Sequence, residues 1–220
     1  VLYDEYSEDI RPEHFMGSLV VIGEFPANGT VQVYKLVDGQ QRLITISLLL
    51  IIFSELSQPS ELSNRIRRYF TNPDEEGDLT YKLLPTEKYG DRQAYISIIN
   101  KNLDASGSIE SRIIPAYQFL KDEVTKRVQD QKLDIGQLFL VIINCLQVVF
   151  ISLDPKEKPY QIFESLNAKG KPLSQADLVR NYVAMKLPEH RQTEIFENHW
   201  SKVEDLLQET GSSLSLLLGT

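Results

Sequence analysis

An apolar segment of eleven residues, from position 43 to position 53, constrains the fold of this chain more than any other feature. Its sequence, LITISLLLIIF, is too long for one strand and is apolar on every side, so it predicts a buried helix. Residues 31–37, VQVYKLV, are rich in β-branched side chains and predict a strand. The chain is therefore expected to pass from a strand into a buried helix through residues 38–42, which we call the junction.

The junction has the residue types of an anion site. At the start of a helix the first backbone N–H groups have no partner, and the positive end of the helix dipole points outward. Gly39 allows the backbone to approach a phosphate closely, and Arg42 offers a planar fork of donors. Ordinary helix capping with Arg42 as a surface charge is the alternative. Five consecutive polar residues before an apolar helix favour the anion site, with Gly39 and Arg42 facing a shared cleft.

Composition narrows the class of protein. The chain has 220 residues, of which 42% are hydrophobic and 25% charged, as expected for a globular protein of one large or two small domains. The net charge of −8 argues against a domain that coats nucleic acid, although a local basic groove is compatible with it. Arg65, Arg67 and Arg68 form a compact basic cluster, which we interpret as a solvated helix face. No apolar run reaches the roughly 18 residues of a membrane span.

Cysteine and histidine usage excludes several chemistries. A single cysteine, Cys145, cannot form a disulfide framework or a cysteine zinc site, and it predicts a packed thiol in a protein of the reducing cytoplasm. The three histidines, His14, His190 and His199, are far apart and lack metal-ligand spacing. They do not assemble into a nuclease centre or a catalytic triad. This disfavours a third hypothesis, in which the chain is a nuclease in its own right.

The order of the elements predicts an α+β fold. Residues 18–37 predict a hairpin, because the turn signal Asn28-Gly29 separates two runs of strand character. Most of the chain after the junction is expected to be helical, with one late strand at residues 146–153. Within it, residues 91–99 and 111–131 predict amphipathic helices. The pattern indicates a small mixed-sheet core extended by a larger helical subdomain.

A second polar cluster lies in residues 159–182. The chain there predicts a helix that ends near Gly170, followed by a second helix whose capping box begins at Ser174. Asn167 falls on the last turn of the first helix, and Lys169 on the loop after it. A helical hairpin without any ligand is an equally complete account of this segment. We nevertheless predict that Asn167 lies close to the junction, since one shared site explains both clusters most simply.

Four blocks of sequence resemble the N-terminal domain of GmrSD-type, modification-dependent restriction endonucleases, a group with a ParB/sulfiredoxin-like fold. The blocks are FMGSLVV at 15–21, YKLVDGQQRLITISLLL at 34–50, LLPTEK with DRQAY at 83–95, and IFESLNAKGKPLSQADLVRNY at 162–182. In the family a strand and a Gln-Arg-containing segment precede the first block. Only residues 1–14 precede it here, the first residue is not Met and the chain stops abruptly, so we expect a piece of a longer protein.

The resemblance implies a ParB/sulfiredoxin-like core that carries the junction, and a helical subdomain that carries the second polar cluster. The core is expected to comprise residues 1–55 and 146–156, and the helical subdomain residues 56–145 and 157–220. In the family the Asp-Gly-Gln-Gln-Arg motif is tied to NTP binding and hydrolysis, usually coupled to a His–Asn–His (HNH) nuclease domain in the same or a partner chain. The intact protein would contact DNA, and no membrane is involved.

Carried over to this chain, the resemblance gives each junction residue a role. Arg42 and the helix N-terminus would hold phosphate, and Gly39 would permit its close approach. Asp38 would hold a water bound to Mg²⁺ or act as a base. Gln40 or Gln41 would orient a water or the ribose, and the sequence does not choose between them.

These roles define the expected site. The catalytic residues are Asp38, Gln41 and Arg42, and the ligand of the Mg²⁺ ion is Asp38. The nucleotide-binding residues are Gly39, Gln40, Arg42, Thr45, Asn167 and Lys169. The main hypothesis is an NTP-binding, NTP-hydrolysing regulatory domain of a defence-type restriction protein. The competing hypothesis is a non-catalytic DNA-sensing or protein-interaction module in which the junction is a structural hydrogen-bond hub.

Overall fold

A computed structural model describes residues 1–7, 9–24, 31–86, 90–102, 111–154 and 202. Within these residues the chain forms six α-helices and a three-stranded mixed sheet, which confirms the expected α+β class. The ParB/sulfiredoxin-like character of the sheet stays a prediction. No helix of the described ranges combines the length and the apolar character required to cross a membrane.

Two strands come early in the chain and one late, with five of the described helices between them. The strands are β1 (His14–Glu24), β2 (Val33–Asp38) and β3 (Leu146–Leu153), and their order in the sheet is β2-β1-β3. The helices are α1 (Leu2–Glu5), α2 (Gln40–Leu56), α3 (Glu61–Arg67), α4 (Asp91–Ile99), α5 (Ile113–Gln131) and α6 (Ile135–Cys145). A short 3-10 turn lies at Gly77–Thr80.

Helix α2 is the centre of the hydrophobic core. Its buried apolar residues pack with buried residues of α3, α4, α5 and α6, and the largest fully buried ones in this cluster are Leu48, Ile52, Ile66, Tyr95, Ile98 and Phe139. A helix that is apolar all round must be covered on every side, and this packing covers it. The predicted buried helix is therefore confirmed, and it is longer than the apolar segment alone indicated.

Two serines of α2 have hydrogen-bonding partners within the core. Ser47 shares a hydrogen bond with the Tyr95 hydroxyl, and the Ser54 hydroxyl lies 3.1 Å from that of Ser63 in α3. Burial raises the pKa of Tyr95 to about 12. Because these polar groups are satisfied inside the core, they do not interrupt the burial of the helix.

Several expected elements agree with the structure. The predicted helix at 91–99 and strand at 146–153 have the observed bounds, and the predicted helix at 111–131 begins two residues late, at Ile113. Strands β1 and β2 are neighbours, as a hairpin requires, although residues 25–30 lie outside the described part. Helices α1 and α6 were not predicted individually. Cys145 at the end of α6 is free and buried, and burial raises the pKa of its thiol.

The chain divides into two compact units. One comprises Val1–Val20 with Phe25–Ile151, and the other comprises Val21–Glu24 with Ser152–Thr220. Helices α1 to α6 and the junction belong to the first unit. The domain boundaries expected from the sequence, at residues 55, 145 and 156, stay a prediction.

Candidate functional site

Within the junction, a single residue connects the strand to the helix. Strand β2 ends at Asp38 and helix α2 begins at Gln40, so Gly39 alone links them. Gly39 has φ 96° and ψ 9°, in the left-handed region that favours glycine. A Cβ atom at Gly39 would lie 2.3 Å from Leu19 Cδ2 and 3.3 Å from the Ser18 carbonyl oxygen. The chain therefore turns against strand β1 at a distance that only glycine permits.

Arg42 joins the start of α2 to both neighbouring strands. Its Nη2 donates to Asp38 Oδ2 at 2.9 Å, and its Nη1 donates to the Met16 carbonyl oxygen at 3.0 Å. The side chains of Arg42 and Asp38 are 30% and 29% exposed. Arg42 is thus neither a free surface charge nor a buried one, but a half-buried guanidinium with two fixed partners.

Gly17 of strand β1 makes room for this guanidinium. Its φ is 103°, and a Cβ atom at Gly17 would lie 2.3 Å from Arg42 Nη1 and 3.4 Å from Arg42 Cζ. Gly17 and the Met16 carbonyl were not predicted as part of the site. A glycine inside a strand does signal a close backbone approach, and this signal was present in the sequence.

The junction retains hydrogen-bond donors that are not used. Arg42 has five N–H donors, and the two bonds to Asp38 and Met16 leave three without a partner among the described residues. Gly39 is the N-cap of α2 and offers no side-chain acceptor, and the first turn contains no acidic residue. The first N–H groups of α2 therefore remain available to an anion.

The other predicted residues of the junction are exposed. Gln40 donates from Nε2 to the Leu36 carbonyl oxygen at 3.3 Å, so its side-chain amide is bonded to the backbone of β2. Gln41 and Thr45 are exposed and lie four residues apart, on one face of α2. Asn167 and Lys169 lie outside the described residues, so the expected approach of Asn167 to the junction stays a prediction.

Asp38 is the only carboxylate within residues 38–42. Its Oδ2 accepts from Arg42, and its Oδ1 has no partner in the described ranges. Those ranges contain no group of three or more His, Cys, Asp or Glu side chains placed to hold a metal ion. Mg²⁺ is commonly held by one or two carboxylates together with substrate phosphates and waters, so one carboxylate beside a phosphate site fits its chemistry.

A second polar cluster lies at the other end of α2, and we call its three residues, Glu55, Tyr117 and Lys121, the Glu55 cluster. Glu55 Oε2 accepts from the Tyr117 hydroxyl at 2.7 Å and forms an ion pair with Lys121 Nζ at 2.9 Å. Lys121 Nζ also donates to the Tyr117 hydroxyl at 3.1 Å. Burial, followed by the hydrogen bond to Glu55, raises the pKa of Tyr117, and the hydrogen bond to Glu55 raises the pKa of Lys121.

Two cavities lie away from the junction. One, of about 350 Å³, adjoins the Glu55 cluster. The other, of about 420 Å³, lies among α3, α6 and residues 6–7, and Arg65 and Phe139 are among its lining residues. Neither cavity is lined by residues 38–42. The predicted cleft shared by Gly39 and Arg42 stays a prediction.

The fold and the junction together define an α+β domain in which an Asp-Gly-Gln-Gln-Arg turn connects a sheet strand to a buried helix. A family model described as "GmrSD restriction endonuclease, N-terminal domain" matches residues 4–184. The chain therefore belongs to this family, as the resemblance indicated. The match supports a defence-related role in DNA restriction. No match to the chain is found among curated proteins, and none among solved structures.

Proposed function

We propose that the chain is an NTP-binding and NTP-hydrolysing regulatory domain of a DNA restriction protein, and that it controls an HNH-type nuclease domain in the same or a partner chain. The observation that carries the proposal is the set of unused donors at the junction. Three guanidinium N–H groups of Arg42 lie beside the uncapped start of a 17-residue helix. Both kinds of donor favour a phosphate group.

The contacts of Arg42 support a preformed phosphate site. Asp38 and the Met16 carbonyl fix one edge of the guanidinium in the absence of ligand, so little side-chain entropy is lost when a phosphate binds the remaining donors. Gly17 supplies the space in which the guanidinium lies. The half-buried position of the Asp38–Arg42 pair also strengthens a charge-assisted hydrogen bond relative to bulk water.

The two glutamines differ in a way that suggests separate roles. The Gln40 amide donates to the Leu36 carbonyl, whereas the Gln41 side chain is exposed in the first turn of α2 and has no partner among the described residues. We therefore assign to Gln41 the orientation of a water for attack on the terminal phosphate. Asp38 accepts a proton from that water or holds a water bound to Mg²⁺; the ion, when bound, would neutralise charge on the phosphate oxygens.

A second candidate function rests on the same contacts. Arg42 has two partners without any ligand, and it ties α2 to β1 and β2. In this reading the junction is a structural hub, and the chain is a non-catalytic DNA-sensing or protein-interaction module. The two hypotheses differ in whether the unused donors of Arg42 and of the start of α2 bind a phosphate.

Titration of the intact protein with each NTP and Mg²⁺ distinguishes the two functions. We expect calorimetry to detect binding of at least one NTP, and phosphate release to follow it. Gln41→Ala should reduce phosphate release and leave binding unchanged, while Gln131→Ala, the matched control at the exposed end of α5, should leave both unchanged. Binding without release would remove the hydrolytic part of the proposal. Failure of every NTP to bind would contradict the proposal and support the structural hub.

A further inference from the structure

Three arginines lie close together in the sequence at the end of α3. Arg42 pairs with Asp38, and Arg127 pairs with Glu123 at 3.5 Å. In contrast, none of the three arginines of the basic cluster forms an ion pair with a carboxylate of the described chain; they are Arg65, Arg67 and Arg68. In a chain with a net charge of −8, these three arginines form a local positive patch.

The local structure directs two of these arginines outward together. Helix α3 begins after the capping residue Ser60 and buries Ser63 and Ile66 against the core. Arg65 and Arg68 are exposed and three residues apart, so they are neighbours on one helix face, with Cβ atoms about 5–6 Å apart. We call them the arginine pair.

Aromatic rings fix the guanidinium groups of this region. The Arg65 guanidinium lies 5.6 Å from the centroid of the Phe139 ring, and Tyr69 packs edge-on against the same ring at 5.1 Å. Arg67 lies on another face, 6.0 Å from the centroid of the Phe70 ring. Arg67 is only partly exposed, whereas Arg65 and Arg68 are exposed, so the arginine pair is the part of the cluster available to a partner.

Nearby carboxylates do not neutralise the arginine pair. Glu61 precedes Arg65 by four residues, the spacing of a helical ion pair, but no such pair forms. Asp134 lines the same cavity as Arg65, but its Oδ1 accepts from the Gln137 backbone N–H at 2.7 Å and caps α6. The dipole at the end of α3 favours a cation there, yet it gives no reason to leave two like charges side by side.

We propose that the arginine pair contacts the phosphate backbone of double-stranded DNA. This inference deepens the proposed function and rests on it, because it names the surface through which the domain of a restriction protein meets its DNA. The planar guanidinium matches phosphate oxygens, and duplex DNA offers one negative charge per roughly 1.7 Å of its axis, so phosphates are dense enough to pair with both arginines. A membrane surface would call for a larger basic cluster or an amphipathic face.

The test is a salt-dependent titration of the full chain with a duplex DNA of about 20 base pairs, followed by fluorescence anisotropy. We expect Arg65→Gln with Arg68→Gln to weaken binding roughly tenfold or more at about 50 mM salt. The slope of log K against log salt should fall in magnitude by about 1.8, since each lost phosphate contact removes about 0.9. The matched control, Lys126→Gln with Arg127→Gln, removes the same charge from exposed positions of α5 and should change affinity less than about twofold.

Three results would overturn the inference. In the first, the unmodified chain does not bind DNA. In the second, the two double variants have equal affinity and equal slope. In the third, the arginine double variant loses binding to anionic phospholipid vesicles but keeps its binding to DNA. If the glutamine variant unfolds, Arg65→Lys with Arg68→Lys keeps the charge and should keep most of the salt slope. NTP affinity is measured in parallel: a chain that binds DNA through the pair but binds no NTP contradicts only the proposed function.

Discussion

The two ends of helix α2 carry polar clusters of different character. At the N-terminal end, Asp38 and Arg42 are 29% and 30% exposed, and Arg42 keeps donors that no described residue uses. At the C-terminal end, Glu55 is 14% exposed, and it bonds to both Tyr117 and Lys121, which also bond to each other. Arg42 therefore keeps three donors for a ligand, whereas each residue of the Glu55 cluster is bonded to the other two.

The polarity of the helix explains this difference. The N-terminus of a helix presents N–H groups and a positive partial charge, whereas the C-terminus presents carbonyl groups and a negative one. An acid at position 55 therefore opposes the dipole, and Lys121 supplies the charge that offsets it. A polar cluster at the end of a core helix is therefore a stronger candidate for an anion site at the N-terminal end, where unused donors and the helix dipole act together. Four experiments test this comparison.

The largest effect is expected from Gly39→Ala at the N-terminal end of α2. The left-handed φ of 96° and the 2.3 Å approach of the new Cβ to Leu19 Cδ2 should together lower the free energy of unfolding by about 2–5 kcal/mol. Gly77→Ala is the matched control, because Gly77 has φ +62° but nothing within 4 Å of the added Cβ, and about 1–2 kcal/mol is expected. Urea unfolding measures both, and equal losses would contradict the close packing at the junction.

Arg42→Ala separates a ligand site from a structural role. NTP affinity should fall by about 1.5–3 kcal/mol, the range for hydrogen bonds to a charged group. Because Arg42 also bonds to Asp38 and the Met16 carbonyl, we expect an accompanying loss of about 1–2 kcal/mol in unfolding free energy. Arg127→Ala, which removes an exposed ion pair, should change neither quantity appreciably. Calorimetry measures the affinity and urea unfolding the stability. A loss of several kcal/mol in unfolding free energy with unchanged NTP affinity would show that Arg42 has a structural role only.

Glu55→Ala tests the C-terminal end of α2. It leaves the buried Tyr117 hydroxyl and the Lys121 ammonium without their acceptor, so the unfolding free energy should fall by about 1–2 kcal/mol. NTP affinity should not change, because the cluster lies at the end of α2 opposite to the junction. Glu123→Ala removes the acid of an exposed pair and should cost less than about 0.5 kcal/mol. A loss of NTP affinity in Glu55→Ala would show that the Glu55 cluster is part of the site.

The smallest expected effect is the pH dependence of the same cluster. The pKa values of Tyr117 and Lys121 are raised on folding, so their contribution to stability is present below the unfolded values of about 10 and lost as pH rises through the folded values. The stability advantage of the wild type over Glu55→Gln should therefore shrink above about pH 10. Tyr95 titrates in both proteins, so its contribution cancels in the difference between them. Urea unfolding between about pH 8 and about pH 11 measures the difference, and a constant advantage would exclude this linkage.

The sequence by itself determined the parts of the structure that local patterns encode. The apolar segment at 43–53 is a buried helix, residues 38–42 connect strand to helix, and the late strand has the predicted bounds. Each follows from side-chain periodicity or turn chemistry within a few residues. Helix α6 escaped prediction because a short apolar run is compatible with either a strand or a buried helix.

Only the tertiary structure decided which polar groups are satisfied. Arg42 bonds to a carbonyl 26 residues away, above a glycine of β1, and Glu55 bonds to a hydroxyl 62 residues away. These pairings depend on β1 lying beside β2 and on α5 packing against α2, which no local pattern specifies. The residue types of the junction therefore follow directly from the sequence. The number of donors that remain free for a ligand depends on which chain segments pack against the junction.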